Sequence, residues 1–347
     1  MKQERSKVYI EYEFKDGPFG GANQSLKCLR DYLVRNGLYS ETPAEAKYIL
    51  INHTRISKDL LRLKQECPEK IFIHRVDGPV AKHRKHAKIL DKHSFFLDRL
   101  LCDGTVFQSQ WTYDSCVEEG YKKTGQVTVI HNAPDPTIFG PKEARKTGRS
   151  GEKCRLIATS WSPNWNKGFD VLQYLDQTLD FNRYEFLFVG NAPIEFQNIR
   201  HLPPKNSKEL SELLKQQDIY VAASRSESCS NSLLEAMNCG LVVIARESGC
   251  YREVIKEGGI LVQKAEEMLP ALEQLVIHME EYQRKLPYFD IEDTGASYYA
   301  FMEQVGQAIE QGEQTRKVLT SYGLFRWNCF CFYIRVRDKL RRMLKLS

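Results

Sequence analysis

Residues 225–237 read RSESCSNSLLEAM, and the fold of this chain is decided there. Val221, Ala222 and Ala223 close a run of strand character just upstream. Residues 226–232 form a small polar loop, and 233–237 are helix formers. Ser230 or Asn231 suits a helix N-cap. A strand, a polar loop and a helix start put free backbone N–H groups and a positive helix end at the carboxyl end of a strand. That is an anion-binding arrangement. Glu227, in the loop, would face a sugar hydroxyl, and Glu235, on the first turns of the helix, would accept from ribose hydroxyls. Acids are also favourable at a solvated helix start for electrostatic reasons alone, so the surrounding sequence must choose between the readings.

Strand-like runs recur on both sides of this segment. Upstream they occupy 7–14, 46–52, 70–76, 104–108 and 126–131, with amphipathic segments such as 21–36 and 110–119 between them. Residues 140–153, rich in Gly, Lys and Arg, read as a linker. Beyond it, strands are expected near 154–160, 184–190, 218–223, 241–245 and 259–262, with helices over 169–180, 207–216, 231–239 and 264–285. The alternation predicts an α/β protein of two Rossmann-like domains facing across a cleft. The expected division is an N-terminal Rossmann-like domain (1–140), a linker (141–153) and a C-terminal Rossmann-like domain (154–290). A helix (291–312) then crosses back to the first domain, and a basic tail (313–347) follows. Ligands sit at the carboxyl ends of strands in such sheets, which makes the cleft the expected site.

Length and composition agree. The 347 residues are too many for one ordinary core. No apolar stretch is long enough to span a membrane, and the polar first residues lack a signal-peptide core, so a cytoplasmic protein is expected. The ten cysteines form no Cys-x-x-Cys pair and read as reduced thiols packed as small hydrophobes. The net charge of +5 is uneven: residues 313–347 hold nine Lys or Arg against two acids, leaving the rest slightly acidic. Binding of nucleic acid by the whole protein is therefore not indicated.

Four further segments fall where the chemistry is expected. SWSPNWNKG at 160–168 follows a strand, and Lys167 there would neutralise a leaving diphosphate, or is an ordinary surface lysine in a turn. DGPFGGAN at 16–23 offers Gly20 and Gly21 for close backbone approach to a phosphate, or is a flexible turn. HRVDGP at 74–79 ends the third strand. Gly78 and Pro79 are turn chemistry, while His74 or Asp77 would bind the donor sugar or orient the acceptor. His131, in HNAPD at 131–135, reads as structural. No Asp-x-Asp motif occurs, the nearest being Asp290-Ile291-Glu292, so neither a metal nor another cofactor is implied.

Taken in order, these motifs resemble a retaining glycosyltransferase of family 4 with the GT-B fold. The resemblance covers about residues 7 to 310. It rests on Gly20-Gly21, the 132–139 segment, Lys167-Gly168, Val189-Gly190, and Glu227 and Glu235 followed by Ala236-Met237 and Gly240. It implies a hexose donor carried on UDP or GDP and bound by the C-terminal domain, and a saccharide or lipid-linked acceptor bound by the N-terminal domain. Glu235 would hold the ribose, Glu227 the transferred sugar, Lys167 and Gly190 the diphosphate, and the loop from His201 and Leu202 to Pro204 the base. Ser230, Asn231 and Ser232 belong to the same donor site. Family members usually carry an Arg a few residues before the Lys. Here that stretch has none, so Lys167 acts alone or Arg75 or Arg225 substitutes. The competing readings are a nucleotide-sugar epimerase of the same architecture and a non-catalytic nucleotide-sugar or glycan-binding subunit.

The tail predicts one more partner. Over 327–346, Phe332, Val336, Leu340 and Met343 fall on one helical face among six Lys and Arg, with Trp327, Phe330 and Tyr333 nearby. This pattern fits a helix lying on an anionic membrane, peripheral to its inner face. It also fits a helix packed on the protein with a solvated basic side, or a mobile extension.

Overall fold

The computed structural model describes residues 5–17, 20–82, 87–141 and 152–343, with the side chains of the final helix described as far as Arg337. Strands β1 (Val8–Glu11), β2 (Tyr48–Ile51), β3 (Ile71–Val76), β4 (Gly104–Phe107) and β5 (Gln126–Val129) form one parallel sheet in that spatial order. Helices α1 (Gly21–Arg35), α2 (Lys58–Glu66), α3 (Lys88–Leu101) and α4 (Gln110–Glu118) connect them. Every residue of β2 and β3 is buried, because helices cover both faces. Leu26, Leu29 and Leu33 of α1 pack on Ile10, Leu50 and Ile73. Leu60 of α2 and Leu97 and Leu101 of α3 pack on Ile49, Ile51 and Phe72 from the other side. Tyr39 makes a single parallel bridge to Val8. The chain thus runs along the free side of β1 before crossing to β2, which gives a doubly wound order that reverses between those strands.

The second sheet holds β6 (Cys154–Ser160), β7 (Tyr184–Gly190), β8 (Arg200–Leu202), β9 (Ile219–Ala222), β10 (Val242–Arg246) and β11 (Gly259–Val262). Its order is β11-β10-β9-β6-β7-β8, the Rossmann arrangement, reversing between β6 and β9. Helices α5 (Phe169–Thr178), α6 (Ser207–Lys215), α7 (Asn231–Asn238), α8 (Tyr251–Ile255), α9 (Met268–Ile277) and α10 (Met279–Arg284) cover it. An Asn206 capping box with Glu209 fixes the start of α6. The α/β class with two Rossmann-like domains therefore stands. Details differ: β1 stops at Glu11 rather than near 14, and the helix expected over 264–285 is two, parted at His278.

Helix α11 (Ile291–Glu310) lies along α1, where Gly295 meets the Tyr32 ring so closely that a Cβ would come within 2.2 Å of it. Its Phe301 and Val305 belong to the N-terminal core. Helix α12 (Ser321–Met343) follows. Phe139, from the segment before the linker, is buried in the C-terminal core with Ile157 and Tyr220, so that core reaches back across residue 140. The linker at 141–153 falls almost wholly outside the described residues. All ten cysteines are free thiols.

Candidate active site

The carboxyl ends of the two sheets meet at a cavity of about 420 Å³. Because β6 and β9 are where the second sheet reverses, the loops that leave them diverge and open a crevice. Lys167 comes from the loop after β6 and Glu227 from the loop after β9, and both line the cavity. Lys167 Nζ donates to Glu227 Oε1 at 2.5 Å. The Glu227 loop is tightly held. Ser226 adopts φ 60°, a costly conformation for a residue with a Cβ. Ser226 N donates to Ser248 Oγ, and Cys250 N donates to Glu227 O. Gly249, at φ +60°, lies so close that a Cβ would stand 2.3 Å from Glu227 O. Gly190, at φ +141°, likewise leaves no room for a side chain against Ser160 O.

Helix α7 points its first turn into the same cavity. Ser230, Asn231, Ser232 and Glu235 all line it. Ser230 makes no side-chain cap, which leaves the first backbone N–H groups available. Glu235 is 8% exposed, and among the described residues no hydrogen bond or ion pair reaches its carboxyl. Burial pushes that carboxyl up to about 7. Gly20 and Gly21 close the cavity from the N-terminal side, where Asn231 Nδ2 donates to Gly21 O at 2.8 Å.

Other interdomain contacts surround the crevice. Ser109 Oγ and Thr112 Oγ1 donate to Ser228 O. Asn132 Nδ2 donates to Asn231 Oδ1. Glu253 of α8 accepts from Gln110 N and Trp111 N at the start of α4, and its Oε1 lies 2.7 Å from His131 Nε2. Burial pulls the Glu253 carboxyl up, but these hydrogen bonds outweigh it and leave the group below its ordinary value.

Most of the residues expected from the sequence converge here, and four do not. His74 is 1% exposed, because β3 is sandwiched and this side chain points toward α3. Its Nδ1 faces Asp98 Oδ1 at 3.2 Å and its Nε2 faces His53 O, so it is a core histidine outside the cavity. Asp77 sits past the strand end but does not line the cavity. It is held by Asn52, Arg75 and Gln108. His201 gives its Nε2 to Gly190 O and lies in an adjoining depression with Asn191, Pro203 and Pro204. Leu202 packs its side chain on the C-terminal core.

Neither cation offered as a substitute for the missing Arg reaches the cavity. Arg75 is buried and bound to Asn52, Asp77 and Asn132, and Arg225 pairs with Asp170. Among the described residues the lysines lining the cavity are Lys167 and Lys205. Lys205, Trp161 and Gln24 were not anticipated, since each is an ordinary surface residue by type. Among the described residues, His74, Asp98 and Cys102 are the group with metal-ligand spacing. They are buried in the N-terminal core, away from the cavity.

Two Rossmann-like domains meeting at the carboxyl ends of their parallel strands make the GT-B fold. Residues 156–278 match the family described as "Glycosyl transferases group 1", which places that domain in the half of the chain holding Lys167, Glu227 and Glu235. Among curated proteins, an "Uncharacterized 41.2 kDa protein in cps region" of Klebsiella pneumoniae is 24% identical over 200 residues, 53% of this chain and 55% of that one. One component of the human phosphatidylinositol N-acetylglucosaminyltransferase is 26% identical over 150 residues, 39% of this chain and 30% of that one. The chain thus spans about half or less of the curated relatives it matches. Among solved structures, Anabaena Alr3699/HepE in complex with UDP-glucose superposes with a TM-score of 0.59 at 14% identity, over 89% of this chain and 99% of that one. Among the described residues no helix is long and apolar enough to cross a membrane.

Proposed function

We propose that this chain is a retaining, metal-independent family 4 glycosyltransferase. It would move a hexose from a UDP- or GDP-sugar to a saccharide or lipid-linked acceptor in glycan biosynthesis. The observation that supports this best is the convergence of Lys167, Glu227 and Glu235 with an uncapped helix start in one cavity. The family matched by 156–278, the UDP-glucose bound by the Anabaena neighbour and the transferase named among the relatives point the same way.

On this reading the donor diphosphate lies against the start of α7 and takes the ammonium of Lys167 from Glu227. Glu227 then accepts a hydroxyl of the transferred sugar, and Glu235 accepts from the ribose. The bond from the anomeric carbon to the phosphate oxygen breaks, and its electron pair stays on the phosphate. The acceptor hydroxyl adds to the same face of the sugar, and its proton goes to the departing phosphate oxygen. Lys167 carries most of the leaving-group charge, and Lys205, which lines the cavity and pairs with Glu209, assists.

The test is donor turnover by the purified chain over a panel of nucleotide sugars, with and without a chelator. Lys167→Ala should lower it by about 100- to 1000-fold, the usual worth of one preorganised charge donor, and the chelator should leave it unchanged. Donor binding without turnover by any panel member, or turnover unaffected in Lys167→Ala, would sink the transferase reading.

A further inference from the structure

We infer that α12 is a two-sided helix, one stripe fixed on the N-terminal domain and the other offered to an anionic lipid bilayer. The inner stripe is plain in the packing. Phe330 stacks on Phe96 of α3 with centroids 4.8 Å apart and planes 3° apart, and it meets His93 edge-on. Trp327 packs on the same rings. Gly323 is buried where a Cβ would come within 2.9 Å of Leu100. The apolar face read from the sequence is a different one: its Phe332 and Val336 are exposed, as a face meant for a membrane would be, and its Leu340 and Met343 lie outside the described side chains.

Among the described residues nothing covers the outer stripe. Tyr322, Phe325, Phe332, Tyr333 and Val336 are 40 to 69% exposed. At 3.6 residues per turn these five fall within an arc of about 100°, roughly opposite the docked side. A stripe this aromatic needs an apolar partner. The charge around it selects which one. Arg326 borders the stripe, and Arg335 stands exposed farther round the helix. The whole 313–347 segment holds nine Lys or Arg against two acids. A second copy would bring the same positive charge to the contact, whereas an anionic bilayer neutralises it. Aromatic rings at the depth of the headgroups, with arginines reaching to phosphate, suit such a surface. The inference does not depend on the donor chemistry. It would set the outer stripe of α12, and with it the N-terminal domain, against the lipid.

The experiment is co-sedimentation of the full chain with vesicles of phosphatidylcholine alone or mixed with phosphatidylglycerol. Two variants accompany it: Phe325→Ser with Phe332→Ser, and Arg326→Glu with Arg335→Glu. All four side chains are exposed, and Arg326 also lies over the Phe96 and Tyr322 rings, so the phenylalanine variant should keep the wild-type melting temperature and the arginine variant should stay close to it. The wild type should bind the anionic vesicles, and each variant should bind them at least about tenfold more weakly. Raising salt from about 0.1 to about 1 M should weaken wild-type binding, as screening shortens from about 10 to about 3 Å. Equal binding to neutral vesicles, no binding at all, or wild-type binding by both variants would overturn the inference. So would a wild-type dimer in sedimentation velocity that the Phe325→Ser, Phe332→Ser variant dissolves, since the stripe would then be an interface between copies.

Discussion

Glu235 is predicted to make the protein less stable as pH rises through neutrality, and Glu235→Gln should remove that effect. Burial raises the carboxyl from an ordinary 4.5 to about 7. Between those values the folded protein holds a proton that the unfolded chain has lost, so stability falls as pH climbs through the interval. The interval spans about 2.5 pH units, and at about 1.4 kcal/mol per unit the full cost above pH 7 is about 3 kcal/mol. Glutamine has nearly the same shape and never ionises. The variant should match the wild type at pH 4 and exceed it by about 2 to 3 kcal/mol at pH 8. In a domain of this size that is about 5 to 10 °C of melting temperature. The assay is thermal or urea unfolding of both proteins from pH 4 to 8, comparing the C-terminal domain's transition. Groups common to both proteins cancel in the difference. A variant whose advantage does not grow with pH would refute the reasoning, because the carboxyl would then be solvated or paired. The same substitution should weaken nucleotide-sugar binding, since an amide is a poorer acceptor for two ribose hydroxyls than a carboxylate.

The remaining predictions concern the walls of the crevice. Glu253→Ala should loosen the domains, because it removes the acceptor of Gln110 N and Trp111 N and the partner of His131; small-angle scattering should show a larger radius of gyration. The Glu253 carboxyl lies below its ordinary value, so its stabilisation holds above about pH 4.5 and is lost as pH falls through the lower folded value. A wild-type protein that opens at pH 6 in a Glu253-dependent way would contradict this. Asn132→Ala should cost about 2 to 4 kcal/mol in denaturant unfolding, because buried Arg75 loses a partner and Asn231 loses a donor. Lys205→Ala should raise the donor KM by about tenfold or less with kcat nearly unchanged, the mark of a contact that binds the donor without acting in the chemical step.

Much of this architecture was legible in the sequence because strand ends carry distinctive chemistry. Lys167-Gly168 after one apolar run, and Glu227 and Glu235 flanking the start of a helix, mark the two loops where the second sheet reverses. The failures have physical causes. His74 lies in a strand buried on both faces, so alternation carries no information about which side faces the cleft. Asp77 has turn chemistry that fits either a ligand contact or an anchor. The structure makes it an anchor, because a buried guanidinium two residues earlier requires a carboxylate. Lys205 and Trp161 reach the cavity through the folding of loops that no periodicity describes. The tail helix carries two apolar stripes, and sequence pattern alone does not say which one docks; the Phe96 ring on α3 chooses Phe330.

The link between Lys167 and Glu227 also bears on how a turnover would end. The ammonium already has a resident anion, so an arriving diphosphate must evict it. After bond cleavage, that same carboxylate is poised to reclaim the ammonium and so help expel the spent nucleotide. A protein with Glu227→Gln should therefore hold its nucleoside diphosphate longer, and product inhibition would reveal a ligand no longer being pushed out.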